Sequence, residues 1–345
     1  MKKTERTMRN SFYLLLLLSL IWPWCVRGQT NDFYDDAATT VLPAPTVEVT
    51  GEIANPGRVD FSMLPLHTVA CKETRMDDSV VFTGTYRYDG YSLCDILNDR
   101  IVKKANEEEF SSVIDLYVVV ENDAGERSVL SWGEIYYPVH RDDIIIATRV
   151  APIVPSRTKD IWPLPQQPKL VVGSDLVTVR NLSNPSRIII KSFPRSFPVK
   201  HGMQPMYSPE IQVFDRDREV AVIPDYPADM PEVSIPTVFY GRGRGIHGIT
   251  TFMGIPLDVL LSGNFAMTET NLKQGLFAVA AEDGYRCVFT FSEVFNRNDR
   301  QTVLLVNRGE DQHGGKFSLF PSYDFFSDRA VKAISKVYFI LVDDF

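Results

Sequence analysis

The chain has 345 residues, of which 44% are hydrophobic and 11% aromatic, a composition typical of one large or two ordinary globular domains. It carries 36 basic and 44 acidic residues, which gives a net charge of −8. Because nucleic acids and anionic membranes attract basic surfaces, this charge disfavours both as partners.

Residues 1–28 have the pattern of a secretory signal peptide. Four basic residues precede the apolar run SFYLLLLLSLIWPW, which is too short for a membrane span, and Gly28 is a small residue suited to cleavage. Cleavage there removes five basic residues and one acidic residue, so the mature chain has 31 basic and 43 acidic residues and a net charge of −12. We therefore predict an exported protein, periplasmic or secreted, without a transmembrane span.

The chain contains four blocks of sequence that recur in the same order. The paired blocks are 84–97 with 248–261, 115–135 with 275–294, 143–149 with 302–308, and 176–190 with 325–339. This alignment pairs Gly90 with Gly254 and Glu134 with Glu293. Four matches in one order indicate a tandem duplication.

Each repeat combines several strands with one short helix. Segments such as RSVLSW and RCVFTF alternate apolar and polar residues, while YSLCDIL and PLDVLL each predict a short helix after a glycine. This pattern predicts an α+β fold that is mainly β. The predicted divisions are an N-terminal linker at 29–45, a first unit at 46–193, a junction at 194–209 and a second unit at 210–345. A proline-rich stretch within the first unit, residues 151–168, predicts a long surface loop.

The first unit resembles the molybdopterin-binding oxidoreductase domain of the sulfite oxidase family. The resemblance rests on VEVTGEIANPGRVDFSMLPL, YDGYSLCDIL, PKLVV and SRIII, which begin at residues 47, 88, 168 and 186. The second unit resembles the family more weakly, through GYRCVFTFSEV and HGGKFSLFP. The resemblance implies two tandem sulfite-oxidase-like units made of packed sheets with short helices.

In the sulfite oxidase family, one cysteine ahead of the helix ligates molybdenum, and Cys71 stands at the corresponding place. The resemblance thus implies Cys71 as a cofactor and metal ligand, but the second unit has no cysteine there. Alternatively, Cys71 is a structural thiol or is paired with Cys94. Exported members of the family usually carry a twin-arginine signal, whereas Arg6 and Arg9 are not adjacent. A chain exported unfolded would arrive without its pterin, so we predict that no cofactor is bound.

The segment YGRGRGIHG, residues 240–248, contains a G-x-G-x-x-G spacing. A dinucleotide-binding loop requires a helix that begins at its last glycine, whereas the β-rich segment ITTFMG follows Gly248. The spacing is therefore not that of a nucleotide fold. Elsewhere the histidines show no metal-ligand spacing and no G-x-S-x-G nucleophile elbow occurs, so the sequence does not indicate a zinc enzyme or a serine hydrolase.

The same segment is a candidate anion-binding site. Gly243 and Gly245 permit backbone conformations in which N–H groups converge on an anion, and Arg242 and Arg244 suit phosphate, sulfate or carboxylate. His247 could add a donor that titrates near neutral pH. The alternative is a tight corner whose arginines pair with surface acids. Three further basic residues of the second unit could also lie close, namely Arg286, Arg329 and Lys332.

Three functions remain open on the sequence alone. The first is an exported scaffold without cofactor that binds a small anionic ligand or another exported protein. The second is a molybdopterin-dependent oxidoreductase with its metal in the first unit. The third is a structural or assembly subunit that uses the proline-rich loops as contact surfaces. We favour the first and predict that the protein is not an enzyme, because the cysteine ligand is absent from one unit and irregular in the other.

Overall fold

The computed structural model describes residues 37–200, 202–203, 206–309 and 313–344. The predicted signal peptide lies outside these residues. Within them, strands account for most of the regular structure and form four sheets, two from the first half of the chain and two from the second. The sheets are arranged as a four-bladed β-propeller. None of the helices in the described part has the length and hydrophobicity that a membrane span requires.

The first half supplies the first ten strands. Their bounds are β1 Thr40–Val41, β2 Glu48–Gly51, β3 Gly57–Arg58, β4 His67–Met76, β5 Val80–Ser92, β6 Leu116–Asn122, β7 Arg127–Ser131, β8 Ile144–Pro152, β9 Lys169–Val172 and β10 Pro185–Ser192. One sheet has the order β1-β8-β5-β4, with β9 also paired to β8. The other has the order β3-β2-β10-β6-β7.

The second half supplies the remaining strands. Their bounds are β11 Ile211–Asp215, β12 Arg218–Ile223, β13 Val233–Gly241, β14 Gly245–Pro256, β15 Gly275–Ala281, β16 Arg286–Thr290, β17 Val303–Val306, β18 Ser318–Pro321 and β19 Ile334–Leu341. One sheet has the order β12-β11-β19-β15-β16, and the other has the order β13-β14-β17-β18. The strand orders of the first half therefore recur, apart from β1, which has no counterpart.

Five short α-helices connect these strands. Their bounds are α1 Leu93–Leu97, α2 Trp132–Tyr136, α3 Leu257–Leu261, α4 Glu269–Gln274 and α5 Phe291–Phe295. Single 3₁₀ turns occur at Phe61–Met63, Val113–Asp115, Ser327–Arg329 and Val342–Asp344. Helices α2 and α5 both begin with a capping box, in which a Ser or Thr and a Glu three residues later bond each other's backbone N–H.

Residues that the sequence alignment paired occupy equivalent places in the two halves. Gly90 and Gly254 lie where neighbouring strands cross closely, because a methyl group at either would stand 2.3 Å from the carbonyl oxygen of Ile146 or Leu305. Glu134 and Glu293 are the third residues of the two capping boxes. The predicted domain bounds are not tested by this correspondence and stay a prediction.

Both halves contribute to one main hydrophobic core, which contains a symmetric network of buried charges at its centre. Arg180 binds Asp175 and Glu134 at 2.7 and 2.8 Å, and Arg329 binds Asp324 and Glu293 at the same two distances. The network crosses between the halves. The Ser131 hydroxyl donates to Glu293 at 2.6 Å, and the equivalent Thr290 hydroxyl donates to Glu134 at 3.4 Å. The two halves are therefore joined by buried hydrogen bonds as well as by apolar packing.

The predicted fold is wrong, since four sheets arranged as a propeller are not two sulfite-oxidase-like units. The quoted segments encode strands, tight turns and short capped helices, and the structure contains those elements. They do not encode how the sheets pack against one another, because sheet packing depends on contacts between residues distant in sequence. Because the fold is not that of the sulfite oxidase family, the expectation of a sulfite-oxidase-like or oxidoreductase-like protein is no longer supported.

Candidate anion-binding site

The glycine- and arginine-rich segment forms the tip of the hairpin β13–β14. Gly241 pairs with Gly245, so the residues between them, Arg242, Gly243 and Arg244, form the turn. Gly245 has a φ of 71°, the left-handed conformation that commonly closes a three-residue hairpin loop. The glycines therefore serve a turn, as the alternative interpretation of this segment expected.

The two arginines at this tip differ in their partners. Arg242 lies 3.3 Å from the carboxylate of Asp328, and its charge is therefore already compensated. Arg244 is exposed and has no acidic partner within the described ranges. His247 lies on β14, three residues after Arg244, and the centre of its ring is 5.3 Å from the centre of the Phe239 ring. Of the predicted site residues, Arg244 is thus the cation that remains available to a ligand.

A positively charged cluster forms where this hairpin approaches two loops of the second half. We call it the basic cluster, and its members are Arg244, Arg308 and Lys332. Arg308 follows β17, and Lys332 precedes β19. Their side chains pass beside the same glycine, because a methyl group at Gly314 would lie 3.3 Å from Arg308 Cδ and 3.4 Å from Lys332 Cγ. The Arg308 guanidinium also lies 5.6 Å from the centre of the Phe252 ring.

The basic cluster lacks a compensating acid among the described residues. Burial lowers the pKa of Arg308, and no acid within the described part of the chain opposes the shift. Burial also lowers the pKa of Lys332, and the positive charges of Arg308 and Arg244 lower it further. Arg308 Nε is buried without a hydrogen-bond partner. The charges of Arg308 and Arg244 both oppose that of Lys332, and the buried Arg308 Nε lacks a hydrogen-bond partner, so a bound anion would relieve both costs.

The other basic residues suggested by the sequence have structural roles. Arg286 is fully buried and binds Glu109 at 2.8 Å and Asp115 at 3.2 Å. Arg329 belongs to the central charge network. Of the three additional basic residues that the sequence suggested, Lys332 alone belongs to the basic cluster. Arg308 was missed because it ends an ordinary strand segment, although the adjacent Gly314 and Gly315, both with positive φ, mark an unusual loop beside it.

Cys71 does not fit the role of a molybdenum ligand. It is buried on β4 in an apolar cluster with Val69, Tyr86 and Tyr88, and it forms no disulfide with Cys94. Burial, assisted by the nearby Glu73 charge, raises the pKa of the Cys71 thiol to about 12. A metal ligand must be a thiolate, so this environment opposes ligation. The expectation that the protein works without a cofactor stays a prediction.

A group of one histidine and two aspartates offers no better metal site. His67 Nε2 lies 2.8 Å from Asp95, while its other ring nitrogen, Nδ1, lies 3.5 Å from Asp142. The two carboxylates therefore contact opposite sides of the imidazole. This geometry is that of a histidine hydrogen-bonded to Asp95 and close to a second carboxylate, since a metal ion would need its ligand atoms to converge on one point.

A cleft of 450 Å³ between the two halves is the main competing site. Its lining includes Glu134, His140, Arg297 and Tyr323. Most charged groups there are already engaged: Arg297 binds Asp299 at 2.5 Å and lies over the Tyr323 ring at 4.0 Å, and Glu134 is bound by Arg180 in the core. Asp143 also lines the cleft, and burial raises the pKa of its carboxyl, but the cleft has no cluster of like charges comparable with the basic cluster.

The sequence was also compared with known proteins. No model of a protein family matches it, and no curated protein matches it either. The argument for a function therefore rests on the geometry and charge of the basic cluster.

Proposed function

We propose that this protein binds an oxyanion at the basic cluster and acts as a binding protein rather than as an enzyme. The observation that carries the proposal is the convergence of Arg308 and Lys332 beside Gly314, where neither has an acidic partner among the described residues. Arg244, at the hairpin tip, is close enough for its charge to lower the pKa of Lys332. The functional role predicted for the arginine-rich turn is thereby kept for Arg244, while Arg242 is assigned to its ion pair with Asp328.

The charge of the cluster suggests the class of ligand. Arginine presents a planar set of donors that matches the oxygens of phosphate, sulfate or carboxylate, and lysine adds a compact charge. Three cations suit a group that carries two negative charges, such as a phosphate monoester. Export of the protein, supported by residues 1–28, is part of the same proposal and would place this ligand outside the cytoplasm.

Calorimetric titration with inorganic phosphate and with sulfate tests the proposal. The variants Arg308→Gln and Lys332→Gln should each weaken binding by about tenfold or more, because a charge-assisted hydrogen bond contributes about 1.5–3 kcal/mol. Binding should also weaken at alkaline pH, since the pKa of Lys332 is lowered in the free protein and the neutral amine attracts the anion less.

Arg242→Gln is the matched control, because this arginine lies in the same turn but is paired with Asp328. Its phosphate affinity should stay within about twofold of the wild type, a change expected from long-range charge alone. Equal losses in Arg242→Gln and Arg308→Gln, or no measurable binding of either anion by the wild type, would reject the proposal.

A further inference from the structure

The second half has an unfilled strand position that is occupied in the first half. Strand β8 runs beside β5 from Ser92, which faces Ile145, to Tyr86, which faces Pro152. The equivalent strand β17 runs beside β14 only at Ile255 and Pro256. The rest of β14 therefore lacks a neighbour on this side among the described residues.

The backbone of β14 is oriented to accept such a neighbour. In the first half, the Ile153 N–H donates to the carbonyl of Thr85 at 3.0 Å, so the peptide groups of Thr85 and every second residue after it point toward β8. The alignment of Gly90 with Gly254 makes Ile249, Thr251 and Met253 the equivalent residues in β14. Within the described residues, their N–H and C=O groups thus form a row of donors and acceptors with no strand beside them.

The opposite edge of the hairpin is closed to strand addition. That edge is β13, which has Pro236 near its middle, opposite Thr251. Proline has no backbone N–H, and its presence on an edge strand is a common protection against unwanted pairing. The open edge of the hairpin is therefore that of β14.

The groove beside this edge has two chemically different sides. It has a volume of 620 Å³, and its lining includes Phe252, Met253 and Arg308. Glu232 also lines it, but its carboxylate already accepts a hydrogen bond from the Tyr226 hydroxyl at 2.5 Å. Because side chains alternate along a strand, Met253 and Ile249 lie on one face, where they are 56% and 81% exposed. Phe252 lies on the other face, beside Arg308. One face of β14 thus carries exposed apolar side chains, and the other face carries the Arg308 guanidinium over the Phe252 ring.

We infer that this groove binds an extended segment of a partner protein in which acidic and apolar residues alternate. The segment would add a strand to β14, as residues of β8 add to β5, and would place its carboxylates on the basic cluster and its apolar side chains on Ile249 and Met253. Charge complementarity favours an acidic segment over a basic or neutral one. This inference rests on the proposed function and specifies its ligand as the carboxylates of a polypeptide.

A short, capped, fluorescently labelled peptide with alternating glutamate and valine is the probe. Fluorescence anisotropy should show binding to the full chain, and a peptide with lysine in place of glutamate should not bind. Thr251→Pro removes one edge N–H and should weaken peptide binding by about tenfold or more, since a strand-ladder hydrogen bond is lost. Thr251→Ala, which keeps the N–H, should bind the peptide as the wild type does.

Hydrogen exchange provides a readout that needs no substitution. The peptide should slow exchange at the amides of Ile249, Thr251 and Met253, whereas phosphate should leave them unchanged. Phosphate binding without peptide binding or amide protection would overturn this inference and leave the proposed function standing. Loss of both would overturn both. Protection of these amides by raised protein concentration alone, with dimers in sedimentation, would show that the occupant is a second copy and overturn the acidic partner.

Discussion

The hairpins β4–β5 and β13–β14 occupy equivalent places in the duplicated chain but differ in what covers them. Above the first, the proline-rich loop places Trp162 against Phe82 at 5.2 Å, and the Tyr86 hydroxyl donates to the carbonyl of Pro163 at 2.8 Å. The corresponding loop after β17 is shorter and places Arg308 over Phe252 instead. Among the described residues, two hairpins with the same strand order thus differ in that the first is covered and the second is open.

The outward faces of the two hairpins also differ, because one carries polar side chains and the other carries exposed apolar side chains. In the first half, this face carries polar side chains, among them Lys72 and a Thr68 hydroxyl that donates to Asp89 at 2.8 Å. In the second half, the corresponding face carries Val238, which is 56% exposed, and Ile249. Exposed apolar clusters of this kind commonly mark interaction surfaces. The exposed apolar side chains on this face therefore belong to the second half, which is the half that carries the proposed binding site.

The largest effect should come from the charge network that the halves share. Replacing Arg329 or Arg180 by methionine leaves two buried carboxylates without their partner, so each variant should lose about 3–5 kcal/mol of unfolding free energy. Because Ser131 and Thr290 bond across the halves, urea unfolding of the wild type should show one transition. Two separate transitions would show that the halves unfold independently, and would contradict the role of the shared charge network in joining them.

The equivalent glutamates of this network should respond oppositely to pH. Burial raises the pKa of Glu134 to about 7, while Arg329 and hydrogen bonds from Ser131 and Thr290 hold the pKa of Glu293 below its ordinary value. A raised pKa means that the folded state retains a proton, so this part of the stability is present in acid and is lost as the pH rises through about 7.

The melting temperature of the wild type should therefore fall between about pH 5 and about pH 8. Glu134→Gln should reduce this decline, and Asp324, whose pKa burial raises to about 6, should account for part of what remains. Glu293→Gln should reduce the decline less, because the charge of Glu293 is only one of the causes that raise the pKa of Glu134. A flat profile in the wild type would contradict the assignment.

A smaller difference in stability is expected between substitutions above the covered hairpin and on the open hairpin. Trp162→Ala should reduce the unfolding free energy by about 1–2 kcal/mol, less than for a fully buried tryptophan because this side chain is half-buried. Ile249→Ala on the open hairpin should change it by no more than about 0.5 kcal/mol, because the residue is 81% exposed. Chemical denaturation measures the unfolding free energy of both variants. Equal losses would show that the two hairpins do not differ in how far they are covered.

The smallest change is expected at Cys71. Burial and a raised pKa keep the thiol protonated, so labelling with a thiol reagent should be slow in the native protein and fast after unfolding. Cys71→Ser should leave phosphate binding unchanged, because the residue lies in the first half and the basic cluster in the second. Rapid native labelling would show an accessible thiol and reopen the question of its function.

The sequence contained much of the local structure. Period-2 alternation located strands such as β7 and β16, and the spacing of Ser131 and Thr290 to a glutamate encoded the two helix starts. The repeat made Gly90 and Gly254 equivalent before their close strand contacts were known. These features depend on neighbours along the chain, and a single sequence therefore carries them.

Only the tertiary structure determined how the sheets pack and which residues form the candidate site. The resemblance to a sulfite-oxidase-like fold failed because strands and turns of one order can pack into different sheets. At the arginine-rich turn, the sequence could not distinguish Arg242 from Arg244, since their difference is set by Asp328, which lies far along the chain. Arg308 and Lys332 meet beside Gly314 only after β17 and β19 have packed. Long-range packing brings these charges together, and that packing follows from the whole core rather than from any one segment.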